Sequence, residues 1–202
     1  SAAANAVNLS RNILRVAEPE FTFRMARDLP PRASNSAPYS QAEVIDAVDS
    51  LHLSIEFPDT RLSDYVHAGA PSLIADFACA AWWVVGPAVG APWRDIDLSK
   101  HAVTAYKNGS IAAVGSGANV LDDPRIALTW IANELATFDA GLKTGDFVTT
   151  GTSVVPVPIA PGDALSMDFG VLGTITAACK QPPNGVRQSV DTMRSRPAFF
   201  AL

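Results

Sequence analysis

No stretch limits the folding of this chain more than Val16-Ala17-Glu18-Pro19-Glu20-Phe21-Thr22-Phe23. As a strand with a side-chain period of two, it puts Val16, Glu18, Glu20 and Thr22 on one face and Ala17, Pro19, Phe21 and Phe23 on the other. The apolar face must be buried against a second layer. The other face carries two carboxylates, on residues roughly 6 to 7 Å apart at Cα. At that spacing both can lean onto one hard cation that prefers oxygen ligands. The plainer alternative is the solvated face of an edge strand, because Pro19 cannot donate to a ladder. A third carboxylate shifts the balance toward a metal site. In Leu51-His52-Leu53-Ser54-Ile55-Glu56-Phe57 the alternation sends Leu51, Leu53, Ile55 and Phe57 to the core and Glu56 to the opposite face.

Around these two strands the chain punctuates itself. Ser1 to Ser10 is small and polar without periodicity, which predicts a loose arm. Asp28 to Pro38 is a loop by its breaker content. Ser40-Gln41-Ala42-Glu43 has capping-box spacing, and Val44, Val48 and Leu51 follow at helical intervals. Trp82 to Val85 predicts a strand stopped by Gly86-Pro87. Asn108-Gly109 between two alternating segments predicts a tight hairpin, since both residues accept positive φ. Gly115-Ser116-Gly117 lacks the lysine of a phosphate loop and predicts a bulge or a close backbone approach. Asp123-Pro124 opens a helix with Leu128, Ile131 and Leu135 on its buried stripe, ended at Gly141. Short strands follow, with turns at Gly145-Asp146, Gly151-Thr152-Ser153 and Gly162-Asp163. The prediction is a β-rich α+β domain with two or three short helices.

Composition closes off several function classes. At 202 residues the chain holds one sizeable core: an arm over 1–14, a single domain over 15–180 and a Pro-, Asn- and Arg-containing tail over 181–202. A formal charge of −5 gives no field for nucleic acid. The most apolar stretch, Ile74 to Val89, is interrupted by Asp76, Gly86 and Pro87, so no membrane span is expected. Two cysteines far apart, Cys79 and Cys179, and no secretory signal predict reduced thiols and a cytoplasmic location. There is no initiator Met, which reads as a processed product or a fragment. Asp59-Thr60-Arg61 predicts a turn anchor or local ion pair. His52, His67 and His101 have no ligand-spaced partner and are expected in loops or at the surface. Asp76, alone among apolar residues, is either a cap or a site residue.

Ala17-Glu18-Pro19-Glu20-Phe21, Tyr39 to Val44, Ser54 to Arg61, Ile74-Ala75-Asp76, Gly141 to Asp146 and Pro161-Gly162-Asp163, in this order, resemble the fumarylacetoacetate hydrolase superfamily. The resemblance is to its branch of 2-hydroxypentadienoate (2-keto-4-pentenoate) hydratases and 4-oxalocrotonate decarboxylases, and runs from about Arg15 to Ala178. It implies a mixed β-roll that holds Mg²⁺ or Mn²⁺ on Glu18, Glu20 and Glu56. It further implies a 2-oxo acid substrate, with Asp76 and Cys79 at the catalytic pocket and Thr152 and Ser153 offering donors to the substrate carboxylate. The implied activity is a metal-dependent hydratase. The alternatives are a decarboxylase, a C–C hydrolase of a 2,4-dioxo acid, or a catalytically impaired partner subunit, and a homo-oligomer is expected. Two departures bear on activity. Phe77 and Cys79 stand where the branch carries Asn and Ser, and a thiol is a weaker hydrogen-bonding group than a hydroxyl. The lysine and acidic residue that the branch supplies from an earlier segment have no counterpart before Glu18.

Overall fold

The computed structural model describes residues 5–33, 35–180 and 199–200. The elements in chain order are β1 (Asn5–Asn8), β2 (Val16–Met25), α1 (Gln41–Asp46), β3 (Val48–Phe57), α2 (Ala70–Ala75), β4 (Trp82–Ala88), β5 (Ala102–Lys107), β6 (Ser110–Ser116), α3 (Pro124–Ala136), β7 (Phe147–Thr152), β8 (Val157–Pro158), β9 (Ala164–Asp168), β10 (Thr174–Lys180) and β11 (Phe199–Phe200). One sheet runs β1-β10-β9-β5-β6, and the other runs β11-β7-β2-β3-β4 with β8 also on β2. Both are mixed: β1 lies parallel to β10 and β11 parallel to β7, while the remaining pairs are antiparallel. This is the expected β-rich α+β architecture.

The core lies where the apolar faces predicted for β2 and β3 meet the other sheet. Phe21, Phe23, Leu51, Ile55 and Phe57 have no exposed surface, and Phe21 meets Phe169, just past β9, edge to face at 5.1 Å. The two main helices begin as their caps require. Ser40 and Glu43 form a reciprocal capping box on α1, and Asp123 caps α3 with Pro124 in its first turn. Asn133 of α3 holds both backbone groups of Tyr39, fixing the entry to α1.

Several local expectations change. The segment expected to be loose is strand β1 from Asn5, anchored because Val7 and Leu9 are buried and the backbone pairs with β10. Helix α1 stops at Asp46, and Val48 opens β3 instead of extending the helix. Gly86-Pro87 does not stop β4, since Pro is tolerated on this edge strand. Helix α3 ends at Ala136, before Gly141. Gly141 is needed for a different reason: a Cβ there would lie 2.2 Å from the Leu29 carbonyl oxygen. His52 is buried on β3, with Nδ1 donating to the Gly86 carbonyl at 2.9 Å. His101 is half-buried against the Phe169 carbonyl and the Phe21 ring. The tail expected over 181–202 lies outside the described residues apart from β11.

Asn108 and Gly109 both take positive φ, 53° and 82°, as the hairpin requires. Gly115 is a close approach: an added Cβ would sit 2.1 Å from the backbone oxygen of Ser153. Gly115→Ala is therefore expected to destabilise the chain by about 1 to 3 kcal/mol, the usual range for forced overpacking, readable as a lower denaturant midpoint with unchanged slope.

Candidate metal centre

Register decides where the three glutamates stand. In the antiparallel β2–β3 pair Glu18 lies directly opposite Glu56, and Glu20 lies opposite Ser54. Side chains directly opposite share a face and come within about 5 Å at Cβ. Glu20, two residues along, shares that face too. Strand β2 has partners on both sides, and Glu20 and Glu56 are each 3% exposed, which excludes the solvated-edge alternative. Pro19 sits where the partner on one side of β2 changes from β8 to β7.

The surrounding elements hold Glu20 and Glu56 by one oxygen each. The β2–β7 register shifts between Glu20 and Thr22, so β7 carries an extra residue there. That bulge turns the Gly151 N–H onto Glu20 Oε2 at 3.0 Å, and the Thr149 hydroxyl donates to the same oxygen. Glu56 Oε1 accepts from the Ala81 N–H at 3.3 Å. Further along the face, the Thr22 and Ser54 hydroxyls bond each other at 2.7 Å.

The electrostatics of this cluster differ from those of the chain's other acids. Burial, reinforced by the charge of Glu18, pushes Glu20 up to about 7 against the opposing bonds from Thr149 and Gly151. Burial and then the charges of Glu20 and Glu18 push Glu56 up to about 9. Glu18 is also raised, by burial. By contrast, Glu43 and Asp76 are held down at about 2 by their hydrogen bonds. The buried Glu20 and Glu56 and the half-buried Glu18 thus share one face, and among the described residues no arginine or lysine pairs with them as a counter-charge.

A hard divalent cation fits that deficit in kind. Each of Glu20 and Glu56 keeps one carboxylate oxygen outside the bonds named above, and the donors are all oxygen, which suits Mg²⁺ or Mn²⁺ and not zinc. Among the described residues no three acid, histidine or cysteine side chains are gathered tightly enough to hold an ion as they stand. Mg²⁺ asks for little more, since it binds through one or two carboxylates and keeps several waters.

The other predicted residues fall on two sides of the cluster. Asp76 lines a cavity of about 250 Å³ with Thr60, Arg61, Phe77 and Ala81. Its carboxylate is fully engaged, by the Thr60 hydroxyl, the Arg61 N–H at 2.9 Å and the Arg61 guanidinium. Asp76 therefore orders the Thr60–Arg61 turn and, held at about 2, is a weak base. The expected local pair of Asp59 with Arg61 is instead this longer-range one, and Asp59 caps the Ile13 and Leu14 N–H groups. Cys79 ends a run of three left-handed residues, Phe77, Ala78 and Cys79. Burial and the nearby Asp76, Glu56 and Glu18 raise its thiol, leaving it protonated at neutral pH.

On the far side, Thr152 pairs with Glu20 across β2 and β7 and lines a cavity of about 580 Å³. Its hydroxyl donates to the Val154 carbonyl. Ser153 is fully buried: its N–H donates to the Pro19 carbonyl, and its hydroxyl has no partner among the described residues. Thr149, Gly151, Thr60 and Ala81 are the contributors that strand alternation does not reveal. Gly151, at φ 105°, was the one available signal for the bulge.

No protein-family model matches the chain. Among curated proteins it is 32% identical over 135 residues to a 4-oxalocrotonate decarboxylase of Pseudomonas putida, covering 67% of this chain and 50% of the relative. It is 30% identical over 166 residues to a 2-oxo-hept-4-ene-1,7-dioate hydratase of Escherichia coli, covering 79% and 59%. The chain thus spans little more than half the length of these relatives. Among solved structures, 4-oxalocrotonate decarboxylase from Pseudomonas putida G7, complexed with calcium and acetate, superimposes with a TM-score of 0.75 at 27% identity, over 87% of this chain and 64% of that one. A second structure of that enzyme is complexed with magnesium and adipate. A fumarylacetoacetate hydrolase family protein of Yersinia pestis CO92 shares the fold at a TM-score of 0.60 and 17% identity, over 87% of this chain and 77% of that one. Ordered motifs, sheet topology and relatives agree, and the chain belongs to the fumarylacetoacetate hydrolase superfamily, in the branch of 2-keto-4-pentenoate hydratases and 4-oxalocrotonate decarboxylases.

Proposed function

We propose that this chain carries the acidic centre of a divalent-metal-dependent hydro-lyase that hydrates a small 2-hydroxydienoic acid. The observation that carries the reading is the placement of Glu18 opposite Glu56 with Glu20 beside them on one buried face. Relatives named as 2-hydroxyhexa-2,4-dienoate hydratase and 2-keto-4-pentenoate hydratase support it, at 29% and 27% identity. Glu18, Glu20 and Glu56 would hold Mg²⁺ or Mn²⁺. Such an ion polarises the carbonyl of a 2-oxo acid and steadies the negative charge that builds on its oxygen.

The chain's own residues do the positioning. Thr149 and Gly151 aim Glu20, the Ala81 N–H aims Glu56, and Asp76 fixes the turn beside them through Thr60 and Arg61. Thr152, which faces Glu20 from the neighbouring cavity, meets the substrate. Ser153 supports that turn from behind. Cys79, as a protonated thiol, is a donor and not a base. Ile111 and Val114, exposed on edge strand β6, support a homo-oligomer, because an apolar edge invites pairing.

The test is to incubate the protein with Mg²⁺ or Mn²⁺ and 2-hydroxypenta-2,4-dienoate, following dienol absorbance and CO₂. Metal-dependent loss of the dienol is the expected result. CO₂ release from a 2-oxo acid without hydration would make the chain a decarboxylase, and metal binding without turnover would make it an impaired subunit.

A further inference from the structure

The cavity beside Glu20 says what kind of molecule fits there. Its floor is the bulged backbone of β7, the same backbone that donates to Glu20 from Gly151. Its walls are Val120, Leu121 and Trp130, and its volume is about 580 Å³. Leu121 and Trp130 are 56% and 47% exposed, so large apolar surface is left facing this space. The polar side chains of the lining are already occupied: Thr150 donates its hydroxyl proton to the Phe21 carbonyl, Thr152 to the Val154 carbonyl, and Asn119 gives an N–H to the Ser153 carbonyl. Among the described residues no lysine, arginine or histidine lines it.

The smaller cavity on the Glu56 side offers no better place for a second anion. Two arginines line it, Arg11 and Arg61, but so do two aspartates, Asp59 and Asp76, and their formal charges cancel. The Arg61 guanidinium is bound to Asp76. A carboxylate placed in the larger space would lose its hydration without gaining a cationic partner among the described residues, and in the smaller one Arg11 stands beside two aspartates that oppose a further negative charge.

Building on the hydratase reading above, we infer that the substrate is a 2-oxo or 2-hydroxydienoic acid with one carboxylate only and an apolar tail, which lies against Val120, Leu121 and Trp130. The dicarboxylic acids handled by some relatives are then poor ligands of this chain. Leu121 and Trp130 are the residues that set the preference.

Two saturated 2-oxo acids of equal chain length test this without turnover: 2-oxohexanoate, ending in a methyl group, and 2-oxoadipate, ending in a carboxylate. Pyruvate, which has no tail, serves as the reference. Binding is measured by calorimetry with the full chain in saturating Mg²⁺. The expected result is 2-oxohexanoate tighter than 2-oxoadipate by roughly tenfold or more, the usual worth of a matched apolar pocket over an unpaired charge. Trp130→Ala should weaken 2-oxohexanoate and leave pyruvate unchanged, and Leu121→Arg should bring 2-oxoadipate level with 2-oxohexanoate or past it. Equal or tighter binding of 2-oxoadipate by the unaltered chain overturns the inference, as does a Trp130→Ala variant with full affinity for 2-oxohexanoate; in both cases the hydratase reading stands if pyruvate binds with Mg²⁺. Failure of all three acids to bind overturns the hydratase reading itself, and this inference with it.

Discussion

Glu56→Gln is expected to raise the melting temperature of the metal-free chain at pH 8 while abolishing the rise that Mg²⁺ or Mn²⁺ produces in the unaltered protein. The two halves have one cause. Glu56 is buried opposite Glu18 and close enough to Glu20 for both charges to raise its proton affinity, so an acid there works against the fold unless a cation is present. A glutamine keeps the oxygen that accepts from the Ala81 N–H and removes the charge. Relief should be at least about 1.4 kcal/mol, the worth of one unit of proton affinity. In the unaltered chain, an ion at one hundred times its dissociation constant should contribute about 2.7 kcal/mol of stability. Glu20→Gln should lose the same response. A metal-induced shift in melting temperature that survives in both variants would remove the acidic face from consideration as the metal site.

The metal-free chain should also lose stability steadily between about pH 5 and pH 9. For a carboxyl whose folded proton affinity is raised, the unfolded chain ionises first, near the ordinary 4.5, and the folded chain retains the proton. Stability is therefore fullest below that value and falls as pH rises toward the folded one. Glu20 at about 7 and Glu56 at about 9 set the window, and each retained proton contributes a slope of about 1.4 kcal/mol per pH unit. The opposite sign applies to Asp76 and Glu43, both near 2, whose contributions disappear only as pH falls through the acid range. The metal-free optimum is thus mildly acidic. Saturating Mg²⁺ should flatten the alkaline limb, because the ion replaces the protons that the acids otherwise need. Urea midpoints at pH 5, 7 and 9, with Mg²⁺ or with EDTA, measure this; a midpoint that climbs with pH in EDTA would contradict it.

What strand alternation can reveal about this molecule ends at the strand. A period of two placed Glu18 and Glu20 together and put Glu56 opposite the core residues Leu53, Ile55 and Phe57, because one buried face dictates the other. Asn108-Gly109 and Asp123-Pro124 were legible because their backbone demands are local. That Glu18 faces Glu56 was not legible, since register between strands separated by a loop and a helix depends on packing along their whole length. The bulge that turns Gly151 onto Glu20 and the pairing of β1 with β10 are likewise contacts between distant parts of the chain. His52 looked like a surface residue because its partner, the Gly86 carbonyl, is a backbone group that carries no sequence signal.

The acids stand on two neighbouring interior strands and not on separate loops. Heat can therefore not dismantle the site while leaving the body of the molecule standing. A slip of one residue between β2 and β3 would turn Glu56 inward and Phe57 outward together, so the assembly has no half-broken form. Calorimetric melting and loss of ion capture should follow a single curve, and cooling should restore both at once.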